Sequence, residues 1–75
     1  MAETRTVYHI TAWEWNAGTK EYDPVILAIY EDFAPAREAF DNAIVCNDTP
    51  QIDFCEVVYD RKGCRISTTA IDRKD

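Results

Sequence analysis

The sequence predicts an α+β domain of β-β-α-β-β order: a four-stranded antiparallel sheet with one helix packed on one face. Three observations lead there. Two stretches rich in β-branched and aromatic residues flank the turn cluster Asn16-Ala17-Gly18, and two more flank Asp60-Arg61-Lys62-Gly63. Between the two pairs, the apolar period changes from two to about 3.6 residues.

The first strand is expected over residues 5–15, ending in a three-residue loop with Gly18 in the left-handed position. That loop would set Trp15 opposite Thr19 and Glu14 opposite Lys20, an opposite-charge pair across the strands. A second strand over residues 22–30 would present Ile26, Ala28 and Tyr30 on one side and Val25, Leu27 and Ile29 on the other. Pro24 cannot donate to a ladder, which places this strand at a sheet edge.

Asp32 or Ala34 can then cap a helix with Pro35 in its first turn. Ala36, Ala39, Phe40, Ala43 and Ile44 fall on one face of it, with Arg37, Glu38, Asp41 and Asn42 on the other. Asn47-Asp48-Thr49-Pro50 stops it. A third strand follows over residues 51–59, then a type I turn with a glycine bulge at Gly63, then a fourth strand over residues 64–71. In that register Val58 faces Ile66 and Phe54 faces Ala70, placing Ile52, Phe54, Val58, Cys64, Ile66 and Ala70 on one side. A right-handed crossover from an edge strand gives the order 2-1-3-4. Residues 1–75 read as a single domain with residues 1–4 and 72–75 frayed.

A chain of 75 residues would bury only about 60% of its unfolded surface, so association with another chain would relieve marginal stability. Hydrophobic residues make up 47% of it, which excludes a disordered tail. No apolar run is long enough to span a membrane, and the first residues lack a signal-peptide pattern, so a cytoplasmic setting is expected. Cys46, Cys55 and Cys64 are an odd set and read as free thiols. Their nine-residue spacing, even with His9 as a fourth donor, lacks the close ligand pairs of a zinc site. No nucleophile–base pair or glycine-rich phosphate loop stands out, so neither catalysis nor a cofactor is expected.

Residues 1–60 hold twelve of the fourteen acidic residues against Arg5, Lys20 and Arg37, while the basic residues Arg61, Lys62, Arg65, Arg73 and Lys74 gather after them. A net charge of −6 argues against direct binding to a phosphate backbone.

One helix cannot cover both sides of a sheet, and both sides carry large apolar residues. The expected use of the uncovered side is contact with a partner: a second copy, another protein, or both. Trp13 and Trp15, two residues apart, share a side with His9, Val25 and Leu27, and they are either core under the helix or aromatic anchors on the open face. The helix stripe is thin for a tryptophan-rich face, which favours anchors. Glu14, Glu21 and Asp23 beside them argue against base stacking.

The carboxylates of Glu14, Glu21, Asp23, Glu38 and Asp41 could instead imitate a phosphate backbone in a basic groove. In size, acidity and lack of a catalytic set the chain is similar in general style to phage-encoded inhibitors of host nucleases, a resemblance that covers no motif. A third reading is a nucleotide or small-molecule sponge whose pocket forms between two copies, with Trp13, Trp15 or Tyr8 stacking on the ligand.

Overall fold

A computed structural model describes residues 3–75. Strands β1 (Arg5–Asn16) and β2 (Glu21–Tyr30) form one hairpin, helix α1 (Phe33–Asn42) follows, and β3 (Gln51–Tyr59) and β4 (Arg65–Lys74) form the second hairpin. The sheet is antiparallel in the order β2-β1-β3-β4, with Pro24 on an edge strand. The helix packs against β1, β2 and β3. Of the four N-terminal residues expected to fray, Met1 and Ala2 lie outside the described residues, and Glu3 and Thr4 precede β1.

The first hairpin closes differently from expectation. The Asn16 side-chain oxygen accepts from Gly18 N at 2.9 Å, and the Asn16 carbonyl accepts from Lys20 N at 2.8 Å, which builds a four-residue loop. Lys20, not Gly18, holds the left-handed conformation, with φ 59°. Gly18 serves by close approach, since a Cβ there would meet the Asn16 side-chain oxygen at 3.2 Å. Trp15 therefore opposes Tyr22 and Glu14 opposes Asp23, instead of Thr19 and Lys20.

The second turn is as expected. Gly63 has φ 86° and donates to the Asp60 carbonyl, while the Asp60 carboxylate accepts from Lys62 N and Cys64 N. Beyond it, irregularities at Ile66 and Ile71 shift the register, so Val58 opposes Ser67 and Phe54 opposes Asp72. The expected apolar set therefore breaks up: Ala70 pairs with Cys55, on the other side, and Ile66 is 58% exposed. A bulge adds a residue to one strand and so exchanges which side chains share a face.

The core lies between α1 and the side of the sheet bearing Tyr8, Ile10, Ala12, Ile52 and Phe54. Ala36 and Phe40 are buried against it, and Ala39, Ala43 and Val45 pack at its margin. Phe54 sits at its centre, stacked on Phe40 at 5.4 Å and near Tyr8 and Phe33. Burying each such ring contributes about 1.5–3 kcal/mol. Ile44, expected on the buried stripe, is 82% exposed because the helix stops at Asn42 and Ala43 turns extended, with ψ 142°.

The expected frayed tail is also corrected, since β4 continues to Lys74. Lys74 Nζ donates to the carbonyls of Asp41 and Ala43 at 3.2 and 2.9 Å and lies 4.7 Å from the centre of the Phe40 ring. A cation at the free carbonyls of a helix C-terminus is favourable. Arg37, besides its helical pair with Asp41, reaches Asp72 at 3.0 Å and ties α1 to β4 a second time.

Two layers in this arrangement make a thin molecule of 46 × 27 × 15 Å. Its radius of gyration of 13.8 Å exceeds the roughly 11 Å of a compact chain of this length. Its accessible surface of 5379 Å² is about 700 Å² more than a compact monomer of this mass exposes.

Candidate functional site

Alternation along β1 decides what the helix leaves uncovered. Tyr8, Ile10 and Ala12 face α1, so Val7, His9, Thr11, Trp13 and Trp15 project from the opposite side. Their partners on β3 are Val57, Cys55, Asp53 and Gln51, in register with Val7, His9, Thr11 and Trp13. On β2 they are Ile29 beside His9, Ile26 beside Thr11, and Tyr22 beside Trp15. Antiparallel partners share a face. The open face therefore has Ile26 and Ile29 along β2, His9, Thr11, Cys55 and Asp53 through its middle, and aromatic residues toward the first hairpin.

Trp15 and Tyr22 form its most exposed aromatic pair. They are 44% and 47% exposed and meet edge to face at 5.1 Å. Trp13 is half-buried, because its indole Nε1 donates to the Asp53 carboxylate at 3.0 Å. Asp53 also accepts from Gln51 and from Arg73 Nε, the latter at 2.9 Å. Burial works to raise the Asp53 carboxyl, but the donated hydrogen bonds of Trp13, Arg73 and Gln51, with the Arg73 charge, outweigh it and hold the group below the usual carboxylate value. The same surroundings act on Cys55: burial, with the Asp53 charge, pushes its thiol up against an opposing pull from Arg73. That keeps Cys55 a thiol and a poor nucleophile.

His9 occupies the middle of the face. Its Nε2 is enclosed and has no hydrogen-bond partner. Burial, and secondarily the Arg65 charge, lowers the pKa of the imidazole.

His9, Trp13 and Trp15 thus lie together as expected, whereas Val25 does not join them. An irregularity at Leu27 puts Val25 opposite Ala12, on the helix side, and brings Ile26 to the open face in its place. Leu27 sits at that irregularity, 49% exposed. The residues missing from the sequence-based set are Tyr22, Ile26, Ile29 and the Asp53–Arg73 pair. Ile29 was visible in the alternation of β2, but Tyr22 and Ile26 depend on a loop length and a bulge.

The acidic candidates fall on the other side. Glu14 opposes Asp23 and Asn16 opposes Glu21, all in phase with Ala12, so the three hairpin carboxylates project to the helix side. Glu38 and Asp41 are exposed on α1 itself, Asp41 3.2 Å from Arg37. These acids therefore leave the tryptophan side of the sheet, although Glu14 and Asp23 line a depression with Trp15 at the hairpin end, and the carboxylate against Trp13 is that of Asp53. The charged groups in phase with the open face are Arg5, which meets Glu31 at 2.6 Å, Arg65, and Arg73 bound to Asp53.

A shallow depression of about 390 Å³ lies at the second hairpin, the end of the sheet away from Trp15 and Tyr22, lined by residues that include Arg5, Tyr59 and Arg61. Among the described residues, no three His, Cys, Asp or Glu side chains gather as a metal-binding group, and no helix is long and apolar enough to cross a membrane. No protein-family model, curated protein or solved structure matches the chain.

Proposed function

We propose that the chain is a non-catalytic protein-binding module that acts by occupying a partner's surface with the sheet face opposite α1, and that it also associates with itself. One observation carries this reading: the face without a helix bears Trp15, Tyr22, Ile26 and Ile29, each between 44% and 56% exposed. Contiguous exposure of such groups is unusual on a monomer. Rigid aromatic anchors give large contact area at small entropic cost.

A second reading rests on the carboxylates. Glu14, Glu21, Asp23, Glu38 and Asp41 share the helix side, and they could enter a basic groove as a nucleic-acid mimic, the manner of an anti-defence inhibitor.

Pull-down from the native host with three forms of the chain separates the two. The first reading expects a specific partner held by wild type and by Glu38→Lys with Asp41→Lys, but lost by Trp15→Ala with Tyr22→Ala, with weak dependence on salt. Loss on charge reversal, steep salt dependence and indifference to Trp15→Ala would overturn it in favour of the acidic side.

A further inference from the structure

The two edges of the sheet are unequally protected. β2 carries Pro24, a bulge at Leu27, and the acids Glu21 and Asp23. Such features block the addition of another strand. β4 presents an uncharged six-residue run, Ile66-Ser67-Thr68-Thr69-Ala70-Ile71, with every residue exposed. Its outer backbone groups can be paired only by another extended chain or by water. Between the irregularities at Ile66 and Ile71, residues Ser67 to Ala70 pair regularly with β3. That stretch is a straight template of four residues without charge or proline, bounded by the irregularities at Ile66 and Ile71.

We propose that a second copy of this chain pairs antiparallel with β4 across a two-fold axis at Thr68, joining the two four-stranded sheets edge to edge. This deepens the self-association part of the reading above by naming the surface involved.

The register follows from symmetry and charge. Antiparallel partners must point to the same face, and a two-fold axis normal to the sheet preserves faces, so one residue of the straight stretch must oppose itself. Near its middle, that residue is Thr68 or Thr69. Centring on Thr69 carries Arg65 toward Arg73 of the other copy, an unfavourable like-charge pair. Centring on Thr68 sets Ser67 against Thr69 and Ile66 against Ala70, and opposes no like charges. It also covers part of Ile66, which is 58% exposed. The two aromatic faces would lie side by side on one surface and the two helices on the other.

Sedimentation velocity from about 10 to 100 μM, where interfaces of modest size dissociate, tests the proposal with three chains. Wild type is expected to associate as a dimer. Thr68→Lys sets two lysines against each other at the axis and is expected to raise the dissociation constant about tenfold or more. Ser67→Glu with Thr69→Lys sets opposite charges against each other twice, and places Lys opposite Glu56 within its own sheet, so it is expected to remain dimeric. All three positions are exposed, and circular dichroism is the check that each variant is folded.

A wild-type monomer throughout the range overturns the proposal, as does a dimer indifferent to Thr68→Lys. A dimer lost on Trp15→Ala but not on Thr68→Lys overturns it while leaving self-association through the open face standing. Dissociation of the paired-charge variant contradicts the Thr68-centred register.

Discussion

His9 shows how one side chain couples the open face to stability. It lies between Ile29 and Cys55, with Nε2 enclosed and unpartnered, and its pKa is lowered from the ordinary 6.5 by burial and then by Arg65. The folded state thus binds fewer protons than the unfolded state as pH falls below 6.5. Stability is fully present above that pH and is lost as pH drops toward the lowered folded value. Urea denaturation from pH 7.5 to pH 5 is expected to show this decline in the wild type, and His9→Phe is expected to flatten it. A decline that survives the substitution would place the titrating group elsewhere. The sequence placed His9 on the side of Trp13 and Trp15, but an orphaned nitrogen is a matter of neighbours three strands wide and has no local signature.

Elements were legible where their signals were local. Pro24 marked the edge strand, Gly63 after Asp60 marked the turn, and Ala36 with Phe40 marked the buried stripe of the helix. Irregularities at Leu27, Ile66 and Ile71 were not legible, because a bulge depends on how neighbouring strands twist. Each exchanges the faces of the residues on one side of it relative to the other, which is why Val25, before Leu27, lies on the helix side while Ile29, after it, lies on the open face.

The length of β4 was misjudged for a related reason: Asp72, Arg73 and Lys74 look like a polar tail, yet each has a partner, in Arg37, Asp53 and the end of α1. Lys74→Met keeps an apolar stem over Phe40 and removes the charge, with its contact to the ring and its hydrogen bonds to the Asp41 and Ala43 carbonyls. Its expected cost is about 0.5–1 kcal/mol in urea denaturation. No measurable change would mean that solvent satisfies those carbonyls equally well.

For the whole molecule, the sequence showed charge polarised along the chain, acidic through residue 60 and basic after it. Folding turns this into a polarity across the sheet. The hairpin carboxylates and the helix share one side, while Arg5, Arg65 and Arg73 share the other with the aromatics. Which side α1 would cover could not be read from composition, since both sides of β1 are apolar. It is settled by the small Ala12 and Ala36 and by Phe40 fitting over Ile10 and Phe54, a packing in which a face bearing Trp13 and Trp15 has no place.

The central claim is that the exposed side chains opposite the helix, Trp15 and Tyr22 foremost, are free for binding, while those beneath it hold the fold. Thermal melting of Trp15→Ala and Phe40→Ala, followed by far-ultraviolet circular dichroism, tests it most directly. Trp15 is 44% exposed and Phe40 is 2% exposed. Trp15→Ala is expected to melt cooperatively with a loss of about 1 kcal/mol. Phe40→Ala is expected to lose about 3–5 kcal/mol, which a domain of this size scarcely survives, and so to be largely unfolded. A folded Phe40→Ala beside an unfolded Trp15→Ala would contradict the account and place the core on the tryptophan face.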